Sequence, residues 1–393
     1  NVAKLNIPFV AVFRANPKSI FPKLFINKEK IVDDVGDWII LFFMVALLMN
    51  FATALSYGVT ALDWFREYNL YAYLLYYFPI KSIIKSTDEL KRLLAFSMAV
   101  LFVIEIIHFL DFYLRIRSNL VYAYQFGRSL QRSQTTFVSA GIFFITFTFF
   151  QKNAIKKYLF LFMSALTVSA LISTFSRTFW VYFILAIGLV FLYLPFKKKI
   201  LLLVYVSVIG FFVVAGFYFA AGDKIAYMAK IYITRLTSTS KGTKDISMQA
   251  RFSEWEAVFN QIYQYPLGGT GLKSQFSYYD ILTKSTLKND IVHNGYFWAA
   301  YRIGIPLTII FFLFLLYKSF KSLLLFINLK DKYYRNMMFC TMISFASIII
   351  SNTISNQIVQ RDCIFTLVFL FSFISFGQKQ LKSEKLLLQQ NSI

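Results

Sequence analysis

Apolar residues in this chain come in long runs, with neither the strict alternation of a barrel strand nor the one-sided stripe of a soluble helix. Such runs fall at roughly 38–56, 68–84, 93–113, 135–151, 158–175, 178–196, 200–221, 295–317, 336–355 and 362–377. A hydrocarbon layer of about 30 Å takes about 20 helical residues, so hydropathy predicts about ten spans. Without water in the bilayer core, only helices satisfy the backbone of such segments. The expected fold is all-α: a polytopic transmembrane helical bundle, with residues 1–393 forming a single integral membrane domain.

One polar segment, residues 222–294, interrupts this pattern. Within it, Phe252, Trp255, Val258, Phe259, Ile262 and Tyr263 follow helical spacing, while Arg251, Glu254, Gln261 and Gln264 are polar. The spacing predicts an amphipathic helix over 247–265, lying on the membrane surface. Pro266 ends it, and Gly268, Gly269 and Gly271 supply a turn open to positive φ. No internal repeat is visible.

Composition agrees with the pattern: 58% of residues are hydrophobic and 15% charged. A net charge of +22 on so apolar a chain leaves no broad soluble face for nucleic acid, and its distribution reads instead as topology. Lys81, Lys85, Lys91 and Arg92, then Lys152, Lys156 and Lys157, then Lys197 to Lys199, then Lys318, Lys321, Lys330, Lys332 and Arg335 occupy alternate turns. By the positive-inside rule those turns are cytoplasmic, and the loop 222–294 faces the other side. The outer side then holds Arg66, Arg115, Arg117, Arg128, Arg132, Arg177, Arg235, Arg251 and Arg361. Arginine's planar fork suits phosphate better than lysine's point charge. A phosphate-bearing ligand on the outer face is therefore expected.

Three outer positions concentrate the candidate chemistry. Arg177 sits in the short Ser176-Arg177-Thr178 turn between two runs. Arg251 opens the predicted surface helix, where a cation opposes the positive end of the macrodipole unless an anion compensates. His293, one of two histidines, stands where the loop returns to the membrane, and Asn294 beside it can cap the next helix. A neutral imidazole there can accept a proton. Elsewhere, Glu105, His108 and Asp111 form a possible polar stripe at i, i+3, i+6, for a proton path, a metal or simple pairing with Arg115 or Arg117. Asp33, Asp34 and Asp37 read as a solvated helix start, and Cys340 and Cys363 as packed small side chains.

Taken together, Ser176-Arg177-Thr178, Arg251-Phe-Ser-Glu-Trp255 with Pro266-Leu267-Gly268-Gly269-Thr270-Gly271, and His293-Asn294-Gly295-Tyr296 leading to Gly304 resemble the O-antigen ligase and O-antigen polymerase superfamily. The likeness is strongest over about 160–320. It implies a bacterial inner-membrane glycosyltransferase of C-type architecture, with its site facing the periplasm or cell exterior. The implied donor is an undecaprenyl-pyrophosphate-linked glycan, transferred to an acceptor hydroxyl without metal or other cofactor. The acceptor is another glycan in polymerases and lipid A core in ligases. Membrane lipids and a chain-length regulator or other assembly proteins are the further partners it implies, and nucleic acid is not one.

Carried over by position, Arg177 and Arg251 would neutralise the leaving pyrophosphate and His293 would activate the acceptor. Asn294, Arg128, Arg132, Arg361, Gly269 and Gly271 would line the substrates. Two departures stand out. Arg302 occupies the position, two before Gly304, where the family usually has a carboxylate, and about ten spans are predicted where a dozen are usual, which points to spans preceding Asn1. A polymerase is the leading expectation and a ligase the alternative. A flippase of lipid-linked sugars would instead favour charges along the spans and paired repeats.

Overall fold

The computed structural model describes residues 32–117, 133–221, 246–281 and 283–390, with Lys230, Ile233, Thr234 and Thr237 between them. The described chain is mostly helical: α1 (Val35–Ser56), α2 (Ala61–Ala72), a 3-10 turn (Tyr73–Tyr76), α3 (Tyr77–Ile83), α4 (Thr87–Arg117), α5 (Gln134–Phe150), α6 (Ala154–Ser173), α7 (Arg177–Tyr193) and α8 (Phe196–Ala221). Then come α9 (Ile246–Gln264), strands β1 (Phe276–Asp280) and β2 (Ser285–Asn289), α10 (Gly295–Ile303), α11 (Ile305–Asn328), α12 (Lys332–Ser351) and α13 (Arg361–Gln390).

Among the described residues, six helices are long and apolar enough to cross a membrane: α1, α4, α6, α8, α11 and α13. The protein is a multi-pass membrane protein. Helices α5 and α7 are apolar but have 17 residues each. Two of the ten expected runs are not single helices. Residues 68–84 break into α2, the 3-10 turn and α3, and residues 295–317 break at Gly304. Hydropathy registers apolar length and is blind to such interruptions.

Helix α5 is the centre of the bundle, packed by α6, α7, α12 and α13, and its Phe137 and Ile142 are fully buried. Aromatic packing extends this core, as where Phe345 of α12 stacks on Phe371 of α13 with centroids 5.6 Å apart. At the periphery α8 exposes Phe211, Phe212, Val214 and Phe219. In a membrane protein such a face meets acyl chains rather than water.

The ends of the bundle differ in chemistry. Beside the start of α1, Lys81 pairs with Asp33 and, at 2.6 Å, with Asp37, whose other oxygen accepts from Tyr77 at 2.8 Å. Lys321 of α11 reaches Asp34 at 2.5 Å, and Lys318 is buried beside it. The expected solvated helix start is thus corrected: Asp37 is fully buried, because lysines from α3 and α11 compensate its charge. Turns assigned to one side by their lysines meet at one end.

The other end carries the α9–α10 segment. The expected amphipathic helix forms as α9, with Val258 and Ile262 buried against the body and Phe259 and Tyr263 exposed. An antiparallel hairpin follows, pairing Phe276 with Asn289 and Asp280 with Ser285. It is the departure from an all-α reading, since strands of five residues leave too little alternation to register.

Between α9 and the hairpin, residues 266–274 thread against the α10–α11 break. Thr270 and Gly271 donate from their backbones to Tyr301 O (2.8 Å) and Arg302 O (3.0 Å), and Ile305 donates to Pro266 O (2.7 Å). From α1, Asn50 donates to Arg302 O at 3.0 Å and accepts from Leu272 at 2.8 Å. Gly304 has φ +80°, and a Cβ there would sit 2.0 Å from Leu267 O. Gly304→Ala is therefore expected to lower folded yield and thermal midpoint sharply, since backbone strain alone costs on the order of 1–3 kcal/mol. Gly188→Ala on α7, with nothing within 4 Å, is the control in the same thermal-shift measurement. Equal midpoints for the two variants would contradict the close-packed break.

Candidate functional site

Helix α9 sets the geometry. Its three-residue step from Arg251 to Glu254 puts both on one side, and the buried Val258 and Ile262 continue the face that holds the helix against α10 and β1. Glu254 is 2% exposed. Both of its oxygens are engaged by His293: one accepts from the His293 backbone N–H and the other lies 2.8 Å from Nδ1.

Asn294 caps α10 as its residue type predicts. Its side-chain oxygen accepts from Tyr296 and Phe297 N–H, both at 3.0 Å, and its amide donates to Thr353 O at 3.0 Å. The adjoining Gly295 N–H donates to Asn352 O at 2.7 Å. A Cβ on Gly295 would strike the Asn352 side chain, so the helix start seats directly on the turn that ends α12. Tyr296 reaches the same turn through Ile349 O at 2.8 Å.

The turn also gathers α7. Tyr182 donates to Ile350 O at 3.3 Å and lies close enough to Arg251 to feel its charge. Arg177 is the first residue of that helix. The end of α12 thus ties α7, which starts at Arg177, to the His293-Asn294 corner, and α9 joins that corner through Glu254. Arg177, Arg251 and His293 are each half-buried.

The other candidates distribute differently. Arg361 is exposed at the start of α13, and Arg128 and Arg132 lie outside the described residues. Gly269 (φ +65°) and Gly271 (φ +90°) face protein: a Cβ would lie 2.6 Å from Arg302 C and 2.4 Å from Ala54 Cα. Their conformations serve the close approach of the 266–274 segment to α1 and α10. Glu105 accepts from Thr167, and His108 Nε2 lies 2.6 Å from Ser173 Oγ. Both thereby join a polar seam between α4 and α6. Among the described residues, no three His, Cys, Asp or Glu side chains gather as metal ligands.

Arg302, where a carboxylate was expected, is fully buried. It donates to Asp290 O, Gly271 O (3.4 Å) and Ser274 Oγ (3.3 Å), and it stands over the Tyr301 ring at 5.2 Å. Among the described residues no carboxylate is within ion-pair distance of it. Glu67 of α2 supplies nearby negative charge instead, and burial pushes the Glu67 carboxyl above the usual glutamate value despite the opposing Arg302 and Lys273. Lys273 pairs with Asp290, three residues before His293. Arg302 thus fixes the strand end that leads into the His293 corner.

Sequence reading had Glu254 only as part of a polar face and did not single out Glu67 or Asn50. The i, i+3 step from Arg251 to Glu254 was the available signal. Their partners lie 39 to 252 residues away, beyond any local pattern.

Residues 162–312 match the model of the family described as O-antigen ligase. Over this segment the chain is similar to that family, as the strings around Arg177, Arg251 and His293 suggest. The matched segment contains Arg177, Arg251, Glu254, His293 and Arg302, and it ends inside α11. The matching family is one of glycosyltransferase-type enzymes. No curated protein matches the chain. The buried Arg302 leads to a stability prediction: Arg302→Met leaves the acceptors at Asp290, Gly271 and Ser274 without their donor. Loss of about 2–4 kcal/mol is expected, read as a lowered denaturation midpoint in detergent. An unchanged midpoint would remove Arg302 as the staple of this segment.

Proposed function

We propose that the protein transfers a glycan from undecaprenyl pyrophosphate to an acceptor hydroxyl on the outer face of the bacterial inner membrane. The observation that carries this reading is that the turn ending α12 holds both the His293-Asn294 corner and α7, the helix headed by Arg177, while α9, which carries Arg251, joins that corner through Glu254. The acceptor oxygen attacks the anomeric carbon as the bond to the pyrophosphate oxygen breaks. The acceptor proton passes to His293, and undecaprenyl pyrophosphate leaves with the accumulated negative charge. Arg177 and Arg251 neutralise that charge, which is greatest in the transition state. No divalent metal is required in this scheme, because two guanidinium groups fill the electrophilic role.

The leading reading is polymerisation, in which the acceptor is a second lipid-linked glycan of an O-antigen or related surface polysaccharide. Ligation to lipid A core is the second reading, favoured by the description of the matching family. Purified protein supplied with lipid-linked oligosaccharide alone, then together with lipid A core, separates the two by product. Arg177→Lys and Arg251→Lys are each expected to lose about 10²- to 10³-fold in turnover while remaining folded, and chelation is expected to leave the wild-type rate intact. Full activity in both lysine variants would end the pyrophosphate role, and EDTA inhibition reversed by Mg²⁺ would replace the metal-free scheme.

Sidedness has its own test. Ser285, exposed at the hairpin, replaced by cysteine in a Cys340→Ala, Cys363→Ala background, is expected to react with an impermeant thiol reagent added outside spheroplasts. Labelling only after the membrane is broken would place the hairpin in the cytoplasm and rule out periplasmic transfer.

A further inference from the structure

We propose that Glu254 is the positioning residue of the His293 base: it holds the proton on Nδ1 and presents Nε2 as the proton acceptor. The proposal rests on the reading of His293 given above and names the group that makes it work. An ionised carboxylate can only accept hydrogen bonds. With one oxygen receiving the His293 backbone N–H and the other facing Nδ1 at 2.8 Å, the nitrogen must carry the hydrogen. In neutral imidazole the remaining nitrogen, Nε2, then holds the free lone pair. The two contacts also fix ring orientation, since main chain and ring are clamped by the same carboxylate.

Burial makes the contact informative. A carboxylate that is 2% exposed loses the hydration that stabilises its charge, and such groups persist where hydrogen bonds replace the water. The His293 side chain is 40% exposed, so the clamped side of the ring is buried while the ring as a whole remains accessible. Glu254 comes from α9, three residues beyond Arg251, and His293 comes from the far end of the loop. One rigid helix therefore carries a phosphate-facing cation and the partner of the base. When the acceptor proton moves to Nε2, the imidazolium formed has its compensating charge already in contact at Nδ1, with no rearrangement.

Glu254→Gln tests the assignment because it preserves size while leaving only one acceptor oxygen. If that oxygen keeps the backbone contact, the amide NH₂ faces Nδ1 and forces the proton onto Nε2, the wrong tautomer for a base. Turnover is expected to fall about 10²- to 10⁴-fold with donor KM little changed. Because the carboxylate acts through His293, Glu254→Gln combined with His293→Ala is expected to be no slower than His293→Ala alone. A double variant slowed by the product of the two single effects would assign Glu254 to some other contact and overturn the proposal.

A second readout needs no turnover. Carbethoxylation of His293 by diethyl pyrocarbonate, followed by peptide mass mapping, reports the free imidazole nitrogen, and Glu254→Gln is expected to slow it severalfold. Unchanged reactivity, or near-normal turnover of Glu254→Gln beside an inactive His293→Ala, would remove the tautomer role and leave the glycosyltransferase reading standing. Slowed carbethoxylation with a fully active His293→Ala would uphold the clamp and instead overturn the assignment of His293 as the base.

Discussion

A helix interrupted inside an apolar bundle exposes amides and carbonyls that no solvent can satisfy. The break at Gly304 is the place where this protein meets that constraint, and the architecture of the α9–α10 end follows from how it does so. The 266–274 segment lends its backbone to the open end of α10, Asn50 reaches across from α1, and Arg302 collects the carbonyls at Gly271 and Asp290. Once these groups are paired, the entry to α10 has one position. The His293-Asn294 corner inherits it, resting on the Asn352 turn on one side and on Glu254 on the other.

The same logic separates the two ends of the bundle. At the α1 start, three aspartates are compensated by lysines and a tyrosine packed against them. At the other end the proposed reactive cations are half-buried, Arg177 as the first residue of α7 and Arg251 five residues into α9, which begins at Ile246 rather than at Arg251 as expected. A buried, compensated charge cluster resists change and holds helices together. A half-buried guanidinium group keeps the planar fork that suits bidentate contact with a phosphate.

Much of the α9–α10 end was legible because local chemistry wrote it. Asn294 caps α10 and Pro266 closes the α9 region, each for reasons contained within a few residues, and Gly269 and Gly271 take the positive φ that their residue type allows. The strings around Arg177, Arg251 and His293 were likewise local enough to suggest a family. What stayed hidden was pairing across distance. Nothing near Asp37 tells that lysines from α3 and α11 will cover it, and nothing near Arg302 tells that Glu67 will stand opposite. The split of two apolar runs was missed for a related reason: mean apolarity is the same whether a run is continuous or folded back through a Gly304 turn.

The seam between α4 and α6 bears on how the chain is assembled during synthesis. Glu105 and His108 enter the bilayer on α4 before their partners Thr167 and Ser173 of α6 have been made. Until then, two polar side chains face hydrocarbon or remain at the translocation channel, at a cost of a few kcal/mol for a charged group. Arrival of α6 relieves that cost at one register, since a shift by one residue would turn both hydroxyls away from their partners. Helix α5, made between them and packed on α6, is drawn into the interior as the pair closes. The seam thus couples the two helices: the polar groups of α4 find these partners only with α6 beside it at this register.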